Sequence, residues 1–339
     1  MNILFTCAGR RNYLINYFKE ALNRSGLVLA ADMDITAPAL VDADVAIEVS
    51  NIYSDNYINE ILEITKKHKI DAIISLNDLE LPILAEHKPK FTDQGVQVIV
   101  SDTSVIDIAF DKYKTHQFLL DIGLKSPKTY ISLSDAKNAI SDGELNFPLI
   151  VKPRWGSASI GLDFPESLVE LDLAYSLQTI KLKKSILNTA SKNDIEHAIL
   201  IQEALQGDEY GLDIVNDFKG NHYGTFVRKK LKMRSGETDK AVSIIDNRFH
   251  EIGKTIGEKL KHIGNVDCDV FLVKNKLFVL ELNPRFGGGY PFSHEAGVNI
   301  AKIHLEWLKG SQNVDQYNNY KADVLCSKCD RLLKIKSQN

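Results

Sequence analysis

Apolar and polar positions along the first hundred residues alternate as short strands and amphipathic helices would. Asn2–Thr6 is an apolar run consistent with a buried strand, followed by a turn holding Gly9, Arg10 and Arg11, and Tyr13–Asn23 reads as a helix. Leu27–Ala31 is a second strand ending at Asp32 and Asp34. Tyr57–His68 is helical, with Ile58, Ile61, Leu62 and Thr65 on one face. Asp71–Ser75 and Val96–Val100 are further strands. Strands alternating with helices imply a parallel sheet covered on both faces. The glycine fingerprint of dinucleotide-binding sheets is missing, since Cys7-Ala8-Gly9-Arg10-Arg11 offers only Gly9, which disfavours a nicotinamide enzyme.

Beyond this block the pattern changes. Val105–Ile122 predicts one helix with Ile106, Ala109, Phe110 and Tyr113 on a shared face, stopped by Gly123 and Pro127. Residues 126–203 predict short strands and polar connections, with Leu177–Asp194, rich in Lys, Ser, Thr and Asn, as a surface excursion. Residues 201–310 predict several strands and two helices, at about 248–263 and 299–309. The expected division is an α/β unit over 1–104, a small subdomain over 105–200, a larger one over 201–312 and a polar tail over 313–339.

Composition adds little direction. The chain has 339 residues, 44% apolar and 25% charged, with a net charge of −4, so nothing global points to nucleic acid or an anionic membrane. No apolar run reaches transmembrane length, and the start does not have the order of a signal peptide, so a cytoplasmic protein is expected. Four cysteines make no disulfide framework. Cys326 and Cys329 form a C-x-x-C without a second ligand pair nearby, and a frayed tail is the expectation there.

Chemistry concentrates in three segments. In Pro148–Gly161 an apolar strand delivers Lys152 to a loop of small residues that includes Gly156, Ser157, Ser159 and Gly161. Such a loop lets backbone N–H groups approach an anion while the lysine adds a point charge, although lysine precedes the glycines, unlike a Walker loop. In Leu280–Arg285 the residues Glu281, Asn283 and Arg285 share one strand face. Glu and Asn supply the hard oxygens magnesium prefers, and Arg can clamp a phosphate. A hairpin around Lys274–Lys276 brings Asp269 beside Glu281, with Asp267 as an alternative ligand. The third segment, Ile199–Tyr210, offers apolar walls for an adenine and an acidic pair for a ribose.

Together, in this order and spacing, V-K-P-x-x-G-S-x-S-x-G and E-x-N-P-R resemble the ATP-grasp superfamily, especially the carbamoyl-phosphate synthase large-subunit type and its stand-alone ligase relatives. The resemblance spans residues 1–310 and implies a Rossmann-like pre-ATP-grasp domain followed by a two-subdomain ATP-grasp fold. It further implies that Lys112 and Lys152 contact phosphates and that Gly156 to Gly161 close over them. Glu203, Ala204 and Leu205 correspond to the adenine hinge, and Glu209 to the ribose carboxylate. Asp269, Glu281 and Asn283 correspond to ligands of magnesium, with manganese as an alternative, and Arg285 to the residue stabilising the transferring phosphate. Asp269 stands where the synthase has Gln, and the chain is far shorter than the duplicated synthase.

The implied reaction is ATP- and magnesium-dependent activation of a carboxylate as an acyl phosphate, then capture by an amine. A carboxylate or carbamate kinase and a non-catalytic ATP-binding protein are the alternatives. Substrate identity is less legible. The cluster Arg228, Lys229, Lys230, Lys232 and Arg234 could receive an anion or lie in solvent, Gly287–Tyr290 could line the acceptor site, and Arg10, Asp32, Asn77 and Asp78 sit after strands of the first unit. The family allows a homodimer, but no segment announces an interface.

Overall fold

The computed structural model describes residues 1–156 and 161–335. Its N-terminal layer is a parallel sheet of β1 (Ile3–Thr6), β2 (Val28–Asp32), β3 (Val45–Glu48), β4 (Ala72–Ser75) and β5 (Gln97–Val98), in the order β3-β2-β1-β4-β5. Between these strands run α1 (Asn12–Leu22), α2 (Pro38–Asp42), α3 (Tyr57–His68) and α4 (Leu81–Thr92). Ile3 and Phe5 pack with α1 and α2 on one face, while Leu4 packs with α3 and α4 on the other. The doubly wound layer is therefore as the pattern predicts. Strand order reverses between β1 and β4, so the loops after them, carrying Gly9–Arg11 and Asn77–Asp78, open onto the crevice where such sheets bind ligands.

The single helix expected over Val105–Ile122 is two: α5 (Thr103–Phe110) and α6 (Lys112–Asp121). Asp111 is extended there (φ −93°, ψ 105°), and its carboxylate accepts the N–H groups of Tyr113 and Lys114. Capping a new helix competes successfully with continuing the old one.

A small antiparallel sheet follows, ordered β6-β8-β7, from β6 (Thr129–Tyr130), β7 (Leu149–Pro153) and β8 (Ile199–Glu203). It is backed by α7 (Leu133–Ser141) and α8 (Leu168–Lys183), with the short α9 (Leu187–Ala190) beyond. The surface excursion expected over Leu177–Asp194 is thus corrected to the end of α8, then α9 and a 3₁₀ turn at Lys192–His197. Leu171, Ala174, Gln178 and Leu182 form a buried stripe at helical spacing that the polar composition masks.

The third layer is antiparallel: β9 (Asp208–Asn216), β10 (His222–Arg234), β11 (Glu237–Ile244), β12 (Gly264–Val273), β13 (Lys276–Asn283) and β14 (Leu325–Ser327), ordered β13-β12-β9-β10-β11-β14. Helices α10 (Asn247–Leu260), α11 (Tyr290–Glu295) and α12 (Ile300–Leu308) complete it. Helix α10 covers one face with α5, whereas Ile300, Ile303 and Trp307 of α12 join the core beneath α1. The tail expected to fray instead donates β14 to the sheet edge, pairing Ala241 with Cys326. Among the described residues no helix is long and apolar enough to cross a membrane.

Candidate active site

The β12–β13 hairpin places Asp269 opposite Glu281 and Asp267 opposite Asn283, the pairing expected from a turn at Lys274–Lys276. Glu281 and Asn283 then line two adjoining recesses. The smaller, about 240 Å³, is bounded by Asp78, Phe110, Lys112 and Gly156. The larger, about 540 Å³, is bounded by Arg11, Arg228, Lys230, Glu237, Asp267, Asp269, Arg285, Gly288 and Gly289.

Lys152, at the end of β7, is 6% exposed. Burial pushes its ammonium down to about 8; the charge of Lys112 reinforces this, while Glu281 and Asp269 oppose it. Lys112 is likewise lowered by burial. Two ammonium groups lowered by burial, Lys112 lining the smaller recess and Lys152 near enough to feel its charge, are short of negative charge, which a polyphosphate would supply. Arg154, two residues after Lys152, pairs with Asp111, the residue before Lys112. Arg154 grips Asp111 with two bonds of 2.7 and 2.6 Å, adds Asp194 at 2.8 Å and stacks on Trp155, while its carbonyl accepts the Lys112 N–H. Lys112 also reaches the Gly156 carbonyl through its ammonium. Gly156 and Gly161 flank the loop at positive φ; Ser157 and Ser159 lie outside the described residues.

Glu203 closes β8, with Ala204 and Leu205 next to it and partly buried. Its N–H donates to the Lys128 carbonyl, and one carboxylate oxygen accepts the Lys128 N–H at 3.3 Å. Glu209 is the second residue of β9, where Lys230 reaches it at 2.7 Å and reaches Asp269 at the same distance. Burial raises Asp269 to about 7 despite Lys230, with Asp267 and Glu281 adding repulsion. Of the three carboxylates on this hairpin, Asp267 is paired with Arg228 and Asp269 with Lys230, so among the described residues Glu281 alone lacks a cation, which a divalent ion would supply. Glu281 has no ion pair among the described residues, and Asn283 donates to it only at 3.5 Å. These two therefore fit a hard cation; Asp269 fits if it shares its charge with Lys230. No cluster of three or more His, Cys, Asp or Glu side chains poised for a metal occurs among the described residues, Cys326 and Cys329 included.

The basic cluster on β10 divides by strand alternation. Arg228 and Lys230 turn inward, Lys229 pairs with Asp208 outside, and Arg234 pairs with Asp239 and Asp330. Arg228 is 1% exposed and bridges Asp213 at 2.7 Å and Asp267 at 2.6 Å. Glycine is required beside it: a Cβ on Gly289 would stand 2.2 Å from the guanidinium, and one on Gly287 would stand 2.1 Å from the Asp267 carboxyl carbon. Of the residues Gly287–Tyr290, Gly288 and Gly289 line the larger recess.

Arg285 does not point freely into the recess. Two of its nitrogens donate to one oxygen of Asp78, at 2.6 and 3.0 Å, tying β13 to the loop after β4. Asp32 and Asn77 are occupied as turn caps, on the Gly9 and Leu79 N–H groups. Arg10 is exposed, and it is Arg11 that lines the recess, donating to the Phe286 carbonyl at 2.9 Å. Among the described residues Arg11 has no carboxylate within ion-pair distance, unlike Arg228, Lys230 and Arg285 beside it. Sequence reasoning missed Arg11 and Glu237. No local signal separates Arg11 from Arg10.

Residues 3–99 match the family model described as PylC-like, N-terminal domain, and residues 196–329 match that described as ATP-grasp in the biosynthetic pathway with Ter operon. The carbamoyl phosphate synthase large chain of Thermotoga neapolitana is 24% identical over 279 residues, covering 78% of this chain and 24% of its own. The chain thus spans about a quarter of the curated relatives it matches. Among solved structures, the biotin carboxylase domain of Hydrogenobacter thermophilus 2-oxoglutarate carboxylase, a dimer in complex with MgADP and bicarbonate, superposes with a TM-score of 0.74 at 15% identity, over 94% of this chain and 72% of that one. The L-amino acid ligase of Bacillus licheniformis gives 0.66 at 18% identity, over 91% and 74%. Both share the fold.

Proposed function

We propose that this ATP-grasp protein, a relative of carbamoyl phosphate synthase large chains, uses ATP and magnesium to join a carboxylate to an amine. The observation that carries the reading is that Lys112, Glu281 and Asn283 line one recess, with buried Lys152 close enough to feel the charges of Lys112 and Glu281. In this reading the adenine lies against Glu203, Ala204 and Leu205, and the ribose near Glu209. The triphosphate meets Lys112, Lys152 and the loop of Gly156, Ser157, Ser159 and Gly161. Asp269, Glu281 and Asn283 would hold a magnesium ion, which would supply positive charge against the phosphates. The oxygen of a substrate carboxylate attacks the terminal phosphorus as its bond to ADP breaks. Arg285 offsets the charge that develops, the main demand of phosphoryl transfer. The amine nitrogen then bonds to the acyl carbon, phosphate leaves and the nitrogen gives up a proton. The units 1–104, 105–200 and 201–312 supply the acceptor crevice, the covering loop and the metal strands, in a cytoplasmic enzyme that pairs as a homodimer.

Phosphate release from ATP and magnesium, measured against pooled small carboxylates and amines, tests this. We expect release to need both substrates and to vanish in Glu281→Ala. Release with a carboxylate alone would mark a kinase, and ATP that neither binds nor turns over would defeat the site assignment. Arg11, without a carboxylate partner, is assigned to the substrate anion. Arg11→Ala should raise the KM for the carboxylate substrate while kcat holds, and an unchanged KM refutes that role.

Lys152 also sets a pH dependence. Its ammonium is charged below about 8, and bound triphosphate favours the charged form. ATP affinity should therefore be level below about pH 7 and fall by up to about tenfold per unit above 8. Lys152→Arg should flatten the fall, as titration calorimetry from pH 6.5 to about 9.5 would show. A wild type with level affinity across that range contradicts the role.

A further inference from the structure

Helix α8 has two unlike faces. Leu171, Ala174, Gln178 and Leu182 are buried against the small sheet. The opposite face presents Val169, Leu173, Leu177 and Ile180, exposed by 70, 66, 45 and 52%. Steps of four, four and three residues confine them to roughly 80° of the helix circumference, a continuous apolar ridge. Phe164 and Leu168 adjoin it at one end and Ile186 at the other, all exposed. Contiguous apolar surface of this kind marks an interaction site.

The flanking charges say what covers it. Glu166, Glu170 and Asp172 stand in the first half; Lys181, Lys183 and Lys184 stand at the end. A helix that lies on a membrane carries bases along its polar flanks, and half of this one is acidic. The pattern instead complements itself when reversed. In an antiparallel pair about a two-fold axis at about residue 175, Val169 of each copy meets Ile180 of the other, and Leu173 meets Leu177. The same axis sets Glu170 of each copy against Lys181 of the other. Both lie on one flank of the ridge, where antiparallel helices bring like flanks together. Glu170 accepts the Glu166 N–H on one oxygen and keeps the second open, while Lys181 has no ion partner among the described residues. Asp172 is already taken by Lys137 at 2.6 Å.

We propose that α8 is a self-association surface through which two copies of the chain pair antiparallel. The apolar ridge supplies the contact, and Glu170 with Lys181 fixes direction and register. None of the ridge residues lines the recesses around Glu281, so the pairing does not rest on the ligase reading.

Sedimentation equilibrium of the full chain between about 1 and 200 µM, the range where small interfaces populate, tests it. The mass is expected to rise from the 38.0 kDa of one chain toward twice that. Leu173→Lys with Leu177→Lys should hold it at one chain with an unchanged thermal melt. Glu170→Lys and Lys181→Glu should each weaken association roughly fivefold, and the two together should restore it. That reciprocal rescue decides the matter even if the leucine variant fails to fold. A chain that stays single throughout, or a dimer indifferent to these substitutions, overturns the proposal. So does a single chain recruited to phosphatidylserine vesicles through the same leucines.

Discussion

Arg228→Met is expected to cost about 3–5 kcal/mol of stability, the usual price of breaking a buried ion pair from one side. The guanidinium sits between Asp213, which is fully buried, and Asp267. Methionine fills similar volume but leaves two carboxylates facing each other away from water. Since a domain of ordinary stability has about 5–15 kcal/mol in total, a sizeable unfolded fraction should appear at modest urea. The loss should also depend on pH. Burial would raise Asp267, but Arg228 and Arg285 outweigh it and hold the carboxyl low. Its contribution is therefore present above the ordinary carboxylate range, near pH 4, and lost as pH falls through the depressed folded value. Wild type and variant should differ most near neutrality and converge in acid. Urea midpoints at pH 7 and about 2.5 check both statements; a midpoint shift worth less than about 1 kcal/mol at pH 7 would mean that water reaches the cluster.

Arg285→Ala should reduce turnover by about two to three orders of magnitude while changing ATP affinity little, as expected for a group that acts on developing charge. Asp78→Asn should move turnover the same way but less. One Asp78 oxygen takes both Arg285 bonds and the other has no hydrogen-bond partner among the described residues, so the carboxylate serves mainly to position the guanidinium. The amide keeps one acceptor and loses the charge. Single-turnover rates alongside ATP binding separate the two effects. If Arg285→Ala weakens ATP binding as much as it slows turnover, the guanidinium grips the ground state and the role assigned to it is wrong.

The parts of the site that were legible are those governed by local periodicity. The hairpin turn brings Asp269 near Glu281, although a one-residue register shift between Asp269 and Val270 is needed to set the two opposite, and strand alternation carries Asn283 with Glu281. The N-terminal layer is readable for the same reason, its apolar runs being long enough to fix strand and helix. What escaped depends on partners distant in sequence. The break at Asp111 is stabilised by Arg154, 43 residues on, and no window around residue 111 contains that cation. Arg228 and Lys230 read as free positive charge until β9 and β12 bring Asp213, Asp267 and Asp269 beside them. The outward ridge of α8 was hidden by the lysines and polar residues around it.

Strand β14 also bears on how the molecule is made. It is the last strand of the large sheet to leave the ribosome, and until it pairs, the N–H and C=O groups of β11 around Ala241 face water. Lys328 then closes on Glu237, and Arg331 reaches Asp42 in the N-terminal layer. An open strand edge is a template for pairing with other chains. During synthesis this protein therefore carries an unfinished seam until residues 325–327 stitch it shut.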